Sequence, residues 1–279
     1  MNELNLIAES IERRFGGLVR LYGGPGAARI RSAHVVVVGL GGVGSWAAEA
    51  LARSGIARLT LVDLDHISES NINRQVHALD NTIGQAKVQA MRERIAHINP
   101  DCRVDCIEDF VDAENWPSLL AFDDWANESN MAFIDACDQV KAKMAMAGWA
   151  AKHQAALISV GAAGGKRFAH RVEIEDLSAV THDPLLAQVR SRLRKEYGLA
   201  RTGKMNVMCV FSREAVVKPS LSTNIAEVST TALKTEKLLE VSTVTVDGSL
   251  NCHGYGSVVT VTSTFGMCAA SWVLNKIAG

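Results

Sequence analysis

Apolar positions recur along the chain with two different periods, and the switches between them mark its elements. His34–Val38, HVVVV, is an unbroken run of β-branched residues behind a histidine. Such a run predicts a strand buried on both faces, as in a parallel sheet covered by helices. Ser45–Arg53 follows with helical spacing, and with Val43 it places Trp46, Ala47, Ala50 and Leu51 on one face. Arg58–Asp63, Arg103–Phe110, Met131–Ala136 and Ala156–Val160 read as four more strands, with helices predicted over Gly84–His97 and Lys141–Lys152. Strands alternating with helices predict an α/β fold with a doubly wound, mostly parallel, Rossmann-like sheet, its ligand at the strand C-termini.

The flanks differ. Glu9–Arg29 predicts an amphipathic helix that carries Arg13, Arg14 and Arg20 and ends at the Gly23–Gly26 breaker. Trp116–Asn130 is irregular or partly helical. Past GAAGG at Gly161–Gly165, Phe168–Glu175 alternates like an exposed strand, Asp183–Tyr197 is a charged helix, and Val207–Phe211 is a short apolar strand. Lys218–Asp247, rich in Ser, Thr and Val, fits neither period. Gly256–Ile277 is apolar and about long enough to span a bilayer as a helix. Thr260, Thr262, Ser263, Thr264, Ser271 and Asn275 interrupt it, however, and Val261, Phe265, Cys268 and Trp272 recur at three- and four-residue steps. A buried helix covering the domain is expected rather than a membrane anchor. One domain over 1–279 is the economical reading, with a nucleotide-binding half at 1–165 and an extension on the same sheet at 166–279.

The first strand runs into Gly39, Gly41 and Gly44, the G-x-G-x-x-G spacing, with Gly42 between them. After a strand and before a helix, this spacing predicts a turn whose N–H groups approach a phosphate. A glycine-rich turn without a ligand is the plain alternative. Asp63 follows the glycines by about twenty residues, where a carboxylate reaches ribose hydroxyls; Asp65 reads equally as a site residue or a loop cap. SESNINRQ places Asn71, Arg74 and Gln75 in a polar loop. Lys87 falls in the first turn of its helix, where a cation opposes the dipole unless an anion is near.

Composition narrows the classes. The 29 Lys and Arg against 30 Asp and Glu make a net charge of -1, so any nucleic-acid surface must be a local patch. Arg190, Arg192, Arg194, Lys195, Arg201 and Lys204 form such a patch, with an ordinary solvated helix face as the alternative. The six cysteines include no C-x-x-C pair, which argues against a four-cysteine zinc site. MNELNLIAESIERR lacks the apolar core of a secretory signal, and the expected location is cytoplasmic, with reduced thiols.

Together, GLGGVG, VDLD, SNINRQ, GQAKV and DACD at Asp135–Asp138 resemble the ubiquitin-activating-enzyme-like superfamily of ATP-dependent carboxylate-adenylating proteins over roughly the first 165 residues. INPDCRV, GAAGG, DPLLAQVRSRLRKEYG and CVFSREAV extend the likeness along nearly the whole chain, where it is similar to the bacterial tRNA threonylcarbamoyladenosine dehydratases. The resemblance implies an enzyme using ATP and Mg²⁺ on tRNA. In it Asp63 holds the ribose, Asn71, Arg74 and Lys87 contact phosphates, and Asp138 helps to place the metal. It implies a homodimer in which Arg14 reaches across the interface, and a sulfur-transfer or cysteine desulfurase-type protein as a candidate partner.

The implied chemistry needs no cysteine. A carboxylate activated as a mixed anhydride with AMP can be attacked by the substrate's own carbamoyl group, closing a five-membered ring with net loss of water. Cys137 and Cys252 are therefore expected to be structural thiols. The alternatives are an adenylating activator of a ubiquitin-like or sulfur-carrier C-terminus, a dinucleotide oxidoreductase and a non-catalytic nucleotide-binding adaptor. Arg74 and Lys87 argue against the oxidoreductase, since hydride transfer has no use for cations around a triphosphate.

Overall fold

The structure, a computed structural model, describes residues 12–120, 130–217 and 255–279. The predicted Ser/Thr/Val-rich stretch and Cys252 lie outside these. The described elements are helix α1 (Gly17–Arg31), strand β1 (His34–Val38), α2 (Gly44–Arg53), β2 (Arg58–Val62), α3 (Lys87–Ile98), β3 (Arg103–Ile107), β4 (Met131–Asp135), α4 (Val140–His153), β5 (Leu157–Val160), β6 (Val172–Asp176), α5 (Pro184–Glu196), β7 (Met208–Ser212) and α6 (Val259–Ala278). The strands form one sheet in the order β3-β2-β1-β4-β5-β7-β6. Every pairing is parallel except that of β6 with β7, so the second half extends the same sheet and closes its edge with one antiparallel strand.

The four valines of β1 explain the layering. Val35 and Val37 face a core shared with α2, α3 and α6, while Val36 and Val38 face one built with α4, Trp116 and Phe133. All four are buried because helices cover both faces. Register then builds the ligand edge. Val38 pairs with Val62 on one side and Asp135 on the other, so β1, β2 and β4 end level and their following loops open side by side.

Several expected boundaries move. Helix α1 does not stop at Gly23–Gly26 but kinks there: Gly23 has φ 69°, and the helix resumes with Pro25 in its next turn, a position where a missing N–H costs nothing. Helix α3 begins at Lys87, β3 ends at Ile107, and the alternating run after GAAGG opens with a short 3₁₀ turn at Ala169–Arg171. A buried helix α6 is present, but its inward stripe is Val261, Phe265, Ala269, Ala270, Val273 and Leu274, with Cys268 and Trp272 only half-buried. It packs along α2 and α1 and also covers the sheet at β4, β5, β6 and β7. Gly266 sets that approach: a Cβ there would collide with the Val43 carbonyl and come within 2.9 Å of the Ala47 nitrogen. At the far end, Arg29 donates to the carbonyls of Ile277 and Ala278, which the end of α6 leaves without intrahelical partners. Among the described residues no helix is long and apolar enough to cross a membrane.

Candidate active site

A cleft of about 580 Å³ opens at the C-terminal ends of β1, β2 and β4. Gly39, Gly41 and Gly42, Asp63 and Asp65, Asn71, Arg74 and Gln75, Lys87 and Asp138 all line it. Residues separated by up to a hundred positions in sequence thus line one cleft. Gly44 stands just behind the turn, where a Cβ would overlap the Gly39 carbonyl oxygen; only glycine lets the chain pass there into α2.

The carboxylate of Asp63 is committed to shaping the loops. Its Oδ2 accepts from Leu40 N at 2.5 Å and its Oδ1 from Asp65 N at 2.9 Å. Burial pushes this carboxyl up from the usual aspartate range, while Lys87 and the two amides pull it back. Lys87 is the first residue of α3, and its Nζ lies 2.6 Å from Asp65 and 3.7 Å from Asp63. The anions expected beside this first-turn lysine are therefore the protein's own carboxylates. The Asp65 side chain is 71% exposed against 7% for Lys87. An incoming phosphate can thus displace a solvated carboxylate, at small cost for so exposed a pair member.

Asn71 closes a 3₁₀ turn at Glu69–Asn71, its Oδ1 accepting from Ser68 N at 3.1 Å. Arg74 donates through Nη1 to the Ser70 carbonyl at 2.7 Å and to Asn73 Oδ1 at 2.9 Å; Trp46 Nε1 donates to its carbonyl at 2.9 Å. Helix α2 thus fixes the base of the arginine. Gln75 is buried, and its Oε1 has no hydrogen-bond partner among the described residues. Asp138 is exposed at the cleft wall.

Beneath the floor lies a pair that sequence reading missed. Lys143 and Asp135 are both fully buried, with Nζ 3.1 Å from Oδ1. Nζ also donates to the Val160 carbonyl at 2.6 Å, and Ser159 Oγ to Asp135 Oδ2 at 2.6 Å. Burial works against the Lys143 proton, but the Asp135 carboxylate outweighs it and holds the lysine above its ordinary value. Cys137 Sγ sits 2.9 Å from the same carboxylate. Burial, then that negative neighbour, pushes its thiol well above the cysteine range, the opposite of an activated nucleophile.

The opposite wall comes from the second half of the chain: Gly161–Gly164, Pro184, Leu185, Val216 and Tyr255. Asp183 welds it together. Its Oδ1 caps α5 at Leu186 N and its Oδ2 accepts from Ala162 N, each at 2.9 Å. Buried Lys166 donates to the His182, Ser212 and Glu214 carbonyls, and Glu214 takes the Arg167 and Phe168 amides. GAAGG, DPLLAQVRSRLRKEYG and CVFSREAV were the sequence signals for this wall.

Two predicted groups lie elsewhere. Arg14 is exposed and donates to the Ile98 carbonyl at 2.9 Å, away from the cleft. The six cations occupy α5 and the loop after it, with about half of them spoken for. Arg192 bonds Glu196 at 2.9 Å, Arg190 bonds the Leu177 and Val180 carbonyls, and Arg194 bonds that of Ala200. Lys195, Arg201 and Lys204 are exposed.

Behind Lys87, His77 is 2% exposed and neither ring nitrogen has a partner among the described residues. Burial, then Lys87 and Arg94, lowers its pKa to about 4. The folded state keeps it neutral while the unfolded chain binds a proton near pH 6.5, so stability is lost as pH falls from 6.5 toward 4. Between about pH 7.5 and about pH 5, the wild type should lose about 2 kcal/mol that His77→Leu does not. Urea unfolding at both pH values measures the difference; equal losses would refute it.

Comparison with known proteins places this geometry. The ThiF family pattern matches residues 16–279. The tRNA threonylcarbamoyladenosine dehydratase of Haemophilus influenzae is 39% identical over 272 residues, covering 96% of this chain and 95% of that protein. The Escherichia coli protein of the same name is 38% identical over 275 residues, covering 98% and 96%. Among solved structures, E. coli tRNA N6-threonylcarbamoyladenosine dehydratase in complex with ATP aligns with a TM-score of 0.78 at 37% identity, over 96% of this chain and 95% of that one.

Proposed function

Since the chain belongs to the ThiF family, we propose that it uses ATP to dehydrate threonylcarbamoyladenosine beside a tRNA anticodon to its cyclic form. The observation that carries this reading is the two-sided cleft. Glycine loop, Asn71, Arg74, Lys87 and Asp138 stand on one side, and a wall built by the second half stands on the other. Relatives bearing that activity in their names match both halves. A molybdopterin-synthase adenylyltransferase of Salmonella typhimurium matches only 34% of the chain, which favours the tRNA reading over activation of a carrier protein.

In this reading ATP lies along Gly39–Gly44, its ribose toward Asp63 and its phosphates toward Asn71, Arg74 and Lys87. A substrate carboxylate oxygen attacks the α-phosphorus and pyrophosphate leaves. Negative charge builds at that centre, and Arg74 and Lys87 oppose it from fixed positions. The carbamoyl group then attacks the activated carbonyl, a proton is released and AMP departs. An intramolecular nucleophile of good geometry is worth several kcal/mol, up to about 7–11 kcal/mol. Among the described residues no cluster of three metal-binding side chains exists. One carboxylate at Asp138 still suits Mg²⁺, which takes one or two carboxylates and draws its other ligands from phosphates and water. Bound there, the ion would neutralise phosphate charge.

The remaining assignments complete the proposal. Residues 1–279 act as one domain in the cytoplasm. The exposed cations of α5 and its loop meet tRNA phosphates. A homodimer brings Arg14 of each subunit to the other's cleft, and a sulfur-transfer protein is a candidate partner.

Modified tRNA incubated with protein and ATP, digested and weighed as nucleosides, should yield a product lighter by one water, formed only with ATP. No such product, together with adenylation of a small carrier protein's C-terminus, would overturn the proposal.

A further inference from the structure

Beside the main cleft is a second, shallower pocket of about 290 Å³. Thr181, His182, Ala187 and Arg190 line it, and Pro184 and Val216 belong to the walls of both. Activating a carboxylate uses none of the first four residues. Yet His182 is held in the left-handed region at φ 57°, sparsely populated for a residue with a side chain. Buried Lys166 grips its carbonyl at 3.2 Å, the Asp183 cap follows it, and its ring Nδ1 lies 2.9 Å from Thr181 Oγ1. The fold therefore spends structure on presenting an imidazole at the rim of a pocket that opens off the cleft.

Building on the tRNA reading, we propose that this pocket receives the nucleotide next to the modified adenosine, its base against His182 and its phosphate toward Arg190. Three features select that occupant. Pro184 and Val216 wall both cavities, so a polymer that leaves the cleft over them has the pocket as its next recess. The volume falls at the small end of ligand pockets and suits one base. The flank is cationic: Arg190 bonds through Nη1 alone among the described residues, and Arg194 and Lys195 follow on the same helix. Unstacked bases are recognised by stacking on histidine and arginine planes, and phosphates by arginine.

The test uses Ala187→Trp, which fills the pocket from an exposed helix position, and His182→Asn, which tolerates the left-handed backbone while removing the imidazole. Each full-length variant is compared with wild type on a modified anticodon stem-loop and on the free modified nucleoside. KM for the stem-loop should rise about tenfold, as loss of one stacked base implies. Turnover of the nucleoside and affinity for ATP should stay at wild-type values. Unchanged KM in both variants, or equal losses on both substrates, overturns the proposal. A wild-type protein that dehydrates neither substrate refutes the activity reading instead. Fluorescence anisotropy of the labelled stem-loop then judges the pocket without turnover: a tenfold affinity loss supports it, and unchanged affinity overturns it. Weakened binding of a carrier-protein tail with unchanged RNA affinity also overturns it.

Discussion

Replacing Lys87 by methionine should lower ATP-dependent turnover by about 10²–10³-fold, the usual loss when one preorganised group opposing transition-state charge is removed. Lys87 stands in the cleft wall within 4 Å of two carboxylates, and its ammonium is the buried cation of that wall. In the proposed reaction a phosphate replaces the solvated Asp65 carboxylate, so that the lysine keeps a partner and the phosphate gains a fixed cation. The variant should also be less stable, because Asp63 is left largely buried without the charge that counters its desolvation. Adding Asp63→Asn to Lys87→Met separates the two effects. Thermal stability should recover in part, since the amide needs no counter-charge but can accept only one of the two backbone N–H bonds that the carboxylate takes, while turnover should not. Steady-state kinetics at saturating tRNA and a melting curve for each variant provide the measurements. Wild-type turnover in Lys87→Met would remove Lys87 from the phosphate site.

Lys143→Met should destabilise the fold by about 3–5 kcal/mol, because a single truncation strands the Asp135 carboxylate in the interior. The pair spans two structural layers, joining the C-terminal end of β4 to α4, and its further bonds reach β5 at Ser159 and Val160. Asp135 is also the last residue of β4, directly before the loop that carries Cys137 and Asp138 into the cleft. Its loss should therefore loosen the site as well as the core. The double variant Lys143→Met with Asp135→Asn should recover most of the deficit, since no unpaired charge remains. The Lys143 proton is held more tightly in the folded state than its ordinary value. Its contribution is accordingly complete below about pH 10.5 and fades only above that range. Chemical denaturation of the single and double variants decides the matter; a single variant as stable as wild type would show the pair to be dispensable.

The chain's local pattern by itself determined the parallel sheet, the glycine turn and the residues around it. A run such as HVVVV is informative because burial on both faces leaves no polar period to preserve. The spacing of Gly39, Gly41 and Gly44 constrains a turn that few other residues could make, and Lys87 at a helix start is unusual enough to announce a nearby anion. What remained hidden depends on which elements become neighbours. Lys143 in an alanine-rich helix reads as a solvated cation until the level ends of β1 and β4 and the packing of α4 set Asp135 against it. The inward stripe of α6 shifted from Cys268 and Trp272 to Ala269, Ala270 and Val273 because the helix meets α2, reached closely through Gly266, and the sheet at the same time. Periodicity records which face of an element is apolar. It does not record what that face meets. Only the tertiary structure therefore decided the buried Lys143–Asp135 pair, the second wall of the cleft and the pocket beside it, all of which join residues distant in sequence.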